Sequence, residues 1–462
     1  MAQDNDKTTR YNEISRKHGD PWIWGIYFML LVISIIESYS ASSREVYAQG
    51  LYMPIIKQCI FLGLGAVCVI FLSRVDYNKS RFLYIMIPGL AIFTTFSLLY
   101  VLMFGKDING ARRAMDILPG VTLQPAELAK LSIVTLLSYI FAKSQKNKDI
   151  SNKGLVCAAI AVMVYGALMI KSGLTNTLLL IAISGSMLLI GGCQFKKIGY
   201  LMAFFAVMMG AFFIINHNND HTNEVMKQTE QEMRAEALEQ GVVIAGEDGK
   251  PVARGEKLGA ARSGTWKNRL RQWWNSDSLV YRPLTSKNRQ EMFSRMAQAH
   301  GGLIGVGVGK SRECSRLPLA FSDYIFSIIV EELGFVGGCF VLLLYLSLLG
   351  RAAMIVRRSK RVLPSLLVIG MASFITFQAL FHMAINVGVF PVSGQPLPLI
   401  SKGGTSIIVI SIAFGVMLSV SRTIANYNNN NNKNSKSEAE EEPMLEGLDA
   451  ANPTEVPKNV WK

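Results

Sequence analysis

The sequence lacks the paired cysteines that a disulfide framework or a zinc-binding module requires. Its six cysteines are spread over 462 residues. Five lie in or beside long apolar segments, and Cys314 stands alone in a long polar segment. A cleavable signal peptide is also missing, because the first apolar block follows a mixed-charge stretch and has no small-residue cleavage site. These absences leave no basis for a disulfide scaffold or a cysteine-based metal site. They predict that the first apolar block stays in the chain as a membrane anchor.

Acidic residues are outnumbered, with 33 Asp and Glu against 47 Lys and Arg, which gives a formal net charge of +14. Such an excess would suit nucleic-acid binding, but the positions of the basic residues favour another explanation. They fall in alternate connections between apolar blocks, near residues 7–17, 74–81, 143–153, 196–197 and 351–361. This is the positive-inside pattern of membrane proteins. It predicts that both termini are cytoplasmic, and we expect no nucleic-acid partner.

Long apolar runs dominate what is present, since 50% of the residues are hydrophobic and the mean hydropathy is +0.29. About ten runs approach the roughly 20 residues that a membrane-spanning helix needs. They lie near residues 22–40, 54–72, 83–103, 129–142, 155–170, 177–192, 200–215, 324–349, 364–385 and 399–420. We therefore predict an all-α polytopic membrane protein with about ten transmembrane helices. A large extracytoplasmic loop, residues 217–321, is expected between helices 7 and 8.

The chain divides by composition into three parts. Residues 1–21 are predicted to form a cytoplasmic N-terminal segment, and residues 22–422 the transmembrane domain. Residues 423–462, an asparagine run followed by acidic residues, are predicted to form a disordered cytoplasmic tail. Within the large loop, residues 217–264 are interpreted as an insertion. The part that follows mixes tryptophans with lysines and arginines, a composition that favours contact with membrane lipids on the outer leaflet.

Acidic residues at the edge of an apolar run and inside it are the strongest functional signal. Asp323 immediately precedes the eighth run, and Glu331 and Glu332 lie about two turns deeper. Carboxylates are expensive at these positions, which favours a functional role. For Asp323 the alternative is a helix cap. For the two glutamates the alternative is polar packing against neighbouring helices, with Lys130 or Arg113 as partners.

Basic residues in a short outer connection form a second signal. Arg112 and Arg113 lie between the third and fourth runs, on the side where positive charge is disfavoured. A guanidinium grips phosphate with two hydrogen bonds, so this pair suits an anionic diphosphate. Contact with lipid headgroups is the alternative. Glu127 and Lys130, spaced i and i+3, are suited to pair with each other on one helix face.

Three clusters at the outer ends of the runs carry a family resemblance. They are residues 109–113 with 124–130, the glycine-rich stretch leading to Asp323 and residues 331–334, and residues 386–388 with 391–406. In this order they resemble the SEDS family of polytopic cell-wall proteins, from the first run to the last. The tail and residues 394–401 look most like FtsW proteins of the Bacteroidetes type. Departures from the family pattern are Phe321-Ser322 before the acid, Lys171-Ser172-Gly173 before the sixth run, Ser393 in place of a lysine and Lys402 in place of a tyrosine.

The resemblance implies a peptidoglycan glycosyltransferase that polymerises lipid II into a glycan strand on the outer face of the cytoplasmic membrane. Its implied partners are a class B penicillin-binding protein and other divisome proteins. The resemblance also implies that Asp323 is the catalytic carboxylate. The expected substrate-binding residues are Asn109, Arg112, Arg113, Lys130, Ser401 and Lys402. The expected structural support comes from Gln124, Glu127, Glu331, Glu332, Pro398, Gly403 and Gly404.

Transfer from an α-linked lipid diphosphate to a β-linked polymer inverts the sugar, so one base suffices and no covalent intermediate is needed. No cofactor motif or metal-ligand spacing is evident, and a divalent cation stays an open alternative. Two other functions also stay open. One is a lipid II flippase, against which the lack of a clear internal repeat counts; the other is a non-catalytic divisome scaffold. The prolines and glycines of residues 391–404 predict an irregular segment that lines a cavity.

Overall fold

The structure, a computed structural model, describes residues 11–41, 53–75, 81–200, 289–391 and 393–449 with short internal gaps. The gaps are at residues 12, 109–110, 119–120, 147–148, 171–172, 318–319 and 360, and only three isolated residues are described between 201 and 288. The predicted seventh span and most of the large loop, including the insertion at residues 217–264, therefore lie outside the described residues.

The described part of the chain is mostly helical, as predicted. Its helices are α1 (Pro21–Ala41), α2 (Met53–Arg74), α3 (Arg81–Phe104), α4 (Pro125–Ser144), α5 (Asn152–Ile170), α6 (Leu174–Ile190), α7 (Arg289–Gly301), α8 (Ile325–Arg357), α9 (Val362–Asn386) and α10 (Thr405–Asp449). Eight of them, all except α6 and α7, are long and apolar enough to cross a membrane. The strands are β1 (Lys106–Ile108), β2 (Ala111–Leu118), β3 (Val121–Leu123), β4 (Gln145–Lys146) and β5 (Asp149–Ile150).

Polar side chains explain which helices occupy the interior of the bundle. In α4 and α9 most side chains are buried, whereas α2 and α3 expose most of theirs to the surroundings of the bundle. α4 carries Glu127 and Lys130, and α9 carries Gln378 and His382, all of them buried. Ionisable and amide groups in a membrane-spanning helix are stable only when they face other protein groups or water. These residues therefore require α4 and α9 to lie inside.

A three-stranded antiparallel sheet, in the order β1-β2-β3, connects α3 to α4. The all-α prediction did not include it. In the register of this sheet Asp107 lies opposite Arg112, and Met115 lies opposite Leu123. The sequence does contain a signal for it, because Asn109-Gly110 separates β1 from β2 and Asn-Gly is the strongest short hairpin signal. The sheet is joined to the start of α10, since Thr405 Oγ1 donates to Thr122 O at 3.0 Å.

Several helix boundaries differ from the predicted ones. The predicted fourth and fifth runs were short, but α4 and α5 have 20 and 19 residues. α10 begins at Thr405 and not near residue 399. Two prolines and the pair Gly403-Gly404 explain this, because proline removes a helical donor and glycine weakens a helix. α10 also continues to Asp449, into the segment predicted to be disordered. Once a helix is nucleated by a packed span, extending it costs little per residue.

A break in α8 at Gly334 (φ 74°, ψ −176°) holds the end of the large loop. Loop and helix exchange backbone hydrogen bonds from Val306 N to Glu331 O (3.0 Å), from Gly307 N to Glu332 O (2.9 Å) and from Phe335 N to Gly302 O (2.9 Å). A Cβ atom at Gly334 would lie 2.3 Å from Leu303 O. Only glycine fits a positive φ and such a close backbone approach. The loop is therefore fixed to α8 near the end that carries Asp323.

Gly334→Ala is expected to destabilise the protein by at least about 2 kcal/mol, because it combines a positive φ with a backbone collision. The measurement is thermal unfolding of the purified protein, followed by tryptophan fluorescence. Gly350→Ala is the matched control, since Gly350 lies in the same helix and has nothing within 4 Å of its added Cβ atom. Alanine forms helix better than glycine by about 1 kcal/mol, so the control is expected to be neutral or stabilising. Equal melting temperatures for the two variants would contradict the role given to Gly334.

The other end of the bundle is closed by Asp20, directly before α1. Its carboxylate pairs with Arg351 of α8 at 2.8 Å and accepts a hydrogen bond from the Tyr11 hydroxyl at 2.7 Å. Its backbone N–H donates to Ser421 Oγ of α10 at 3.0 Å. Asp20 is buried, and a buried carboxylate needs such partners. The start of α1 is therefore fixed to α8 and α10 together.

Candidate active site

Asp323 lies in a turn, residues 321–324, that leads into α8. Its side chain is partly exposed, and its Oδ1 accepts a hydrogen bond from Ser322 Oγ at 3.0 Å. Tyr324 occupies the N-cap of α8, with no side-chain cap hydrogen bond, and the first turn contains no acidic residue. Asp323 therefore lies directly before the N-cap, at the mouth of the helix, and is neither the N-cap residue nor the first-turn acid that the sequence offered as an alternative.

The irregular segment between α9 and α10 holds this turn in place. Ser401 Oγ donates to Ser322 O at 2.7 Å, and Lys402 N donates to Phe321 O at 3.0 Å. From α9, Asn386 Nδ2 donates to the backbone carbonyl of Asp323 at 3.2 Å. Three separate chain segments therefore meet at the turn that carries Asp323, and two of the predicted site residues, Ser401 and Lys402, bond to its backbone.

Ser401 and Lys402 have different surroundings. Ser401 is buried, and its hydroxyl also accepts a hydrogen bond from Leu397 N at 2.7 Å. It orients the turn, which differs from the predicted contact with substrate. The Lys402 side chain is partly exposed, with Nζ 5.0 Å from the centre of the Phe321 ring. Its ammonium therefore lies against Phe321, two residues before Asp323 in the same turn.

Glu127 and Lys130 of α4 form a buried ion pair at 2.7 Å, as their spacing suggests. Lys130 Nζ also donates to Gln378 Oε1 of α9 at 2.7 Å, and Gln378 Nε2 donates to Glu127 Oε2 at 3.3 Å. Lys130 is completely buried, with 0% of its surface exposed. This placement differs from the predicted substrate-binding role, because the ammonium is enclosed and its charge is matched within the protein. The three side chains join α4 to α9 behind the site.

Glu331 and Glu332 are buried and act as packing groups, the alternative that the sequence left open. Glu331 Oε1 accepts from Arg312 N at 3.0 Å and from Glu313 N at 3.4 Å, and Ser311 Oγ donates to Glu331 Oε2. Glu332 accepts a hydrogen bond from Ser40 Oγ of α1. Neither pairs with Lys130, which is occupied by Glu127, so that predicted partner is wrong. The two carboxylates tie the loop and α1 to the broken part of α8.

The remaining predicted residues lie around this centre. Arg112 and Arg113 are in β2, but their side chains, like the whole of Asn109, lie outside the described part. Gln124 occupies the N-cap of α4, and its side chain makes no capping hydrogen bond. Pro398 O accepts from Tyr345 Oη at 2.6 Å, and Gly403 O accepts from Ser406 N at 2.8 Å; Gly404 has a φ of 44°. Among the described residues, no group of three or more His, Cys, Asp or Glu side chains is arranged to hold a metal ion.

A polar stripe on α9, formed by Gln378, His382 and Asn386, was missed by the sequence analysis. The three residues are four positions apart and all buried. Gln378 and His382 face the irregular segment, and Asn386 faces the turn at Asp323. Gln378 Nε2 donates to Pro396 O at 3.3 Å, and His382 Nδ1 lies 2.6 Å from Gln395 O. The spacing was a usable signal, because residues at i, i+4 and i+8 share one helix face and polar groups are costly in an apolar span.

Comparison with known proteins identifies the family. The family model for FtsW, RodA and SpoVE, described as cell cycle protein, matches residues 21–241 and 260–426. The chain belongs to this FtsW/RodA/SpoVE family. Stage V sporulation protein E of Bacillus subtilis is 25% identical over 86% of this chain and 95% of its own length. A probable peptidoglycan glycosyltransferase FtsW of Xanthomonas oryzae is 25% identical over 90% of this chain and 75% of its own length.

Solved structures of FtsW/RodA/SpoVE-like proteins agree with the fold. A chain from a peptidoglycan synthase complex, described as coordinating polymerization and crosslinking, aligns over 87% of this chain and 98% of its own, with a TM-score of 0.60 and 21% identity. RodA of Thermus thermophilus aligns over 87% of this chain and 95% of its own, with a TM-score of 0.54 and 19% identity. The polytopic helical fold predicted from the sequence is confirmed. The family match leaves residues 242–259 unaligned, within the predicted insertion.

Proposed function

We propose that this chain is a peptidoglycan glycosyltransferase that polymerises lipid II, with Asp323 as the general base. The observation that carries the proposal is the placement of Asp323. Its side chain is partly exposed, in a turn that Asn386, Ser401 and Lys402 fix directly before α8. A general base must be held within hydrogen-bond reach of the proton it removes. The relatives named as peptidoglycan glycosyltransferases support the reaction class.

In the proposed reaction, Asp323 accepts the proton of the acceptor sugar hydroxyl while that oxygen attacks the anomeric carbon of the donor. The bond to the diphosphate breaks as the new β-glycosidic bond forms, and the electron pair leaves with the diphosphate. A cation near the leaving group stabilises its developing charge. Lys402, which is partly exposed beside Asp323, is placed to do so. Arg112 and Arg113 of β2 are proposed to contribute in the same way.

Lipid transport is a weaker alternative, and the burial along α9 favours the polymerase. A flippase needs a polar path through the whole membrane. The polar stripe of α9 stops at Gln378, and its buried face further along consists of Leu367, Met371 and Phe374. On this face of α9 the polar side chains are therefore confined to the half near Asp323, which suits chemistry at a membrane surface.

We also propose the setting in which this reaction takes place. Both termini are placed in the cytoplasm and Asp323 outside, because basic residues are concentrated in the alternate loops. The proposed partner is a class B penicillin-binding protein that crosslinks the polymer, along with other division proteins and membrane lipids. The related synthase complex, which couples polymerization with crosslinking, supports such a partner. No cofactor is needed for the proposed displacement. A divalent cation bound to the diphosphate stays an open alternative.

The direct test mixes the purified chain with labelled lipid II, with and without its cognate penicillin-binding protein. Polymeric glycan is the expected product, measured by gel electrophoresis. Movement of labelled lipid II across vesicles without polymer would support the flippase instead. Assembly of the division complex without either activity would support the scaffold.

Neutralising both outer arginines, Arg112→Gln with Arg113→Gln, is expected to raise the apparent KM for lipid II about tenfold or more. Each hydrogen bond from a cation to a phosphate is worth about 1.5–3 kcal/mol. The measurement is the initial rate of polymerisation as a function of lipid II concentration. Lys196→Gln with Lys197→Gln is the matched control, because this basic pair lies in a predicted cytoplasmic loop. If both double variants keep the wild-type KM, the arginines contact only headgroups.

A further inference from the structure

The glycine-rich loop after α7, residues 302–309, exposes a cluster of apolar side chains. Leu303 is 71% exposed and Ile304 is 85% exposed, and Val306 and Val308 are exposed as well. Apolar side chains clustered on a surface mark a place where a protein meets another molecule or a membrane. The level of this apolar loop along the bundle distinguishes between these two possibilities.

Two contacts between α1 and α8 show where the surfaces of the membrane lie. At one end Asp20 pairs with Arg351 at 2.8 Å, and at the other Ser40 Oγ donates to Glu332. The 20 positions from Asp20 to Ser40 span about 30 Å of helix. The hydrocarbon layer of a bilayer is also about 30 Å thick, and ionisable groups are costly inside it. Glu332 therefore marks the edge of the hydrocarbon layer at the end that carries Asp323.

The apolar loop is bonded to α8 on the hydrocarbon side of this edge. Leu303 O accepts a hydrogen bond from Val336 N at 3.3 Å. Phe335 and Val336 follow Glu332 by three and four positions in the direction of Arg351, which places them about 5 Å inside the layer. Their side chains are exposed, as expected for groups that face lipid. Leu303, at the same level, therefore lies at the depth of the lipid acyl chains.

The backbone of the apolar loop is paired with α8, which this depth requires. Irregular backbone inside a membrane is stable only where the protein satisfies its polar groups. Val306 N donates to Glu331 O at 3.0 Å, and Gly307 N donates to Glu332 O at 2.9 Å. The loop thus bonds to α8 through its backbone, while its two most exposed side chains point away from the protein. This combination suits a segment that borders lipid.

Two basic residues follow the apolar loop on the other side of the edge. Lys310 N donates to Gly307 O at 3.1 Å, and Gly307 is bonded to Glu332 at the edge itself. Lys310 and Arg312 are both exposed. Within the part of the chain that the structure describes, neither charged group has an ion-pair partner. Cations at this level lie among the lipid headgroups, where a phosphate matches their charge.

We propose that residues 302–312 form a lipid edge. Leu303 and Ile304 insert between the acyl chains of the leaflet at the Asp323 end, and Lys310 and Arg312 bind the phosphates of anionic lipids. A phospholipid fits best because the apolar side chains and the cations are ordered along the bundle as the tail and headgroup of a lipid are. The lipid edge requires no chemistry at Asp323, so it is independent of the proposed reaction. It adds that the loop fixed to the break in α8 is also held at one depth in the membrane.

Photo-crosslinking tests the apolar part of the lipid edge. The crosslinking amino acid p-benzoylphenylalanine replaces Ile304 in the full-length chain, in nanodiscs of phosphatidylglycerol and phosphatidylcholine. Illumination is expected to attach a phospholipid, detected as an increase in the mass of the intact protein. Ser315 is the matched position, because it is exposed beyond the basic residues, and at least about tenfold less adduct is expected there. Equal yields at both positions would overturn the insertion, and so would a protein adduct in place of lipid in cell membranes.

Native mass spectrometry tests the basic part. Lys310→Gln with Arg312→Gln is expected to lower the retention of phosphatidylglycerol relative to phosphatidylcholine about tenfold or more, since each base near a membrane surface contributes about fivefold. Arg316→Gln is the control, because Arg316 is exposed but already pairs with Glu313 at 3.4 Å. It is expected to stay within about twofold of wild type. A double variant with the wild-type lipid preference would overturn headgroup binding.

These results are distinguishable from those on the proposed reaction. A lipid adduct at position 304 in a chain that forms no polymer from lipid II would support the lipid edge and contradict the proposed glycosyltransferase. Polymer formation by a chain that yields no lipid adduct would give the reverse result. The two sets of measurements share no readout, since one follows the mass of the protein and the other the length of the glycan.

Discussion

Asp323→Asn is expected to lower the rate of lipid II polymerisation by a factor of about 10²–10⁴ while leaving the protein folded. Asparagine keeps the shape of the side chain but cannot take up the proton of the acceptor hydroxyl. The turn that carries it is held by backbone atoms, through Asn386, Ser401 and Lys402, and these contacts do not depend on the carboxylate. The measurement combines glycan formation by the purified variant with its melting temperature.

Glu291→Gln provides the control for this variant. Glu291 is an acid on α7, a helix that packs against α8, and it pairs with Arg295 at 2.8 Å. An ion pair with a partly exposed member contributes little to stability, about 0–1 kcal/mol. The control is therefore expected to polymerise lipid II within about twofold of wild type, since no step of the proposed reaction uses it. Substantial polymer from Asp323→Asn would rule out the base assignment and direct attention to transport.

Lys130→Met is expected to destabilise the protein by about 3–5 kcal/mol, the usual effect of leaving one buried charge without its partner. Glu127 is only 2% exposed, and its remaining contacts, with Gln378 at 3.3 Å and Ser406 at 3.5 Å, are neutral. Removing both charges in the double variant Glu127→Gln with Lys130→Met is expected to recover most of this loss. The measurement is a double-mutant cycle on thermal unfolding, which isolates the coupling between the two side chains.

Lys143→Met tests whether any lysine of α4 would behave in this way. Lys143 lies near the other end of the same helix and is exposed, with Nζ 5.9 Å from the centre of the Tyr139 ring. Its replacement is expected to change stability by less than about 0.5 kcal/mol. If Lys130→Met and the double variant unfold at the same temperature, the two charges are not coupled and the ion pair has no structural role.

Local patterns in the sequence were sufficient for the helical framework, and they were sufficient to select Asp323 as a candidate. A run of about 20 apolar residues has few alternatives to a membrane-spanning helix, since every backbone polar group must be satisfied within it. An acid at the edge of such a run stands out for the same reason. The Glu127–Lys130 pair could also be predicted from the sequence, because residues three positions apart meet on one helix face.

Contacts between distant segments could not be predicted from these patterns. Lys130 contacts Gln378, 248 positions away, and Ser40 contacts Glu332, 292 positions away. Hydropathy gives no information on which helices become neighbours, so the hydrogen bond between Lys130 and Gln378 could not be predicted. The contacts of Ser401 could not be predicted for a related reason. Its hydroxyl is used by two backbone groups that the irregular fold of its own segment brings together.

The junction of Asp20, Arg351 and Ser421 has a consequence for the order in which the protein can be built. α1 leaves the ribosome early, but the charged partner of Asp20, Arg351, belongs to α8, and Ser421 belongs to α10, 401 positions after Asp20. Contacts of such long separation form late in folding. A chain that ends before α8 therefore carries an unmatched acid at the start of α1. That unmatched acid distinguishes truncated products from the complete bundle.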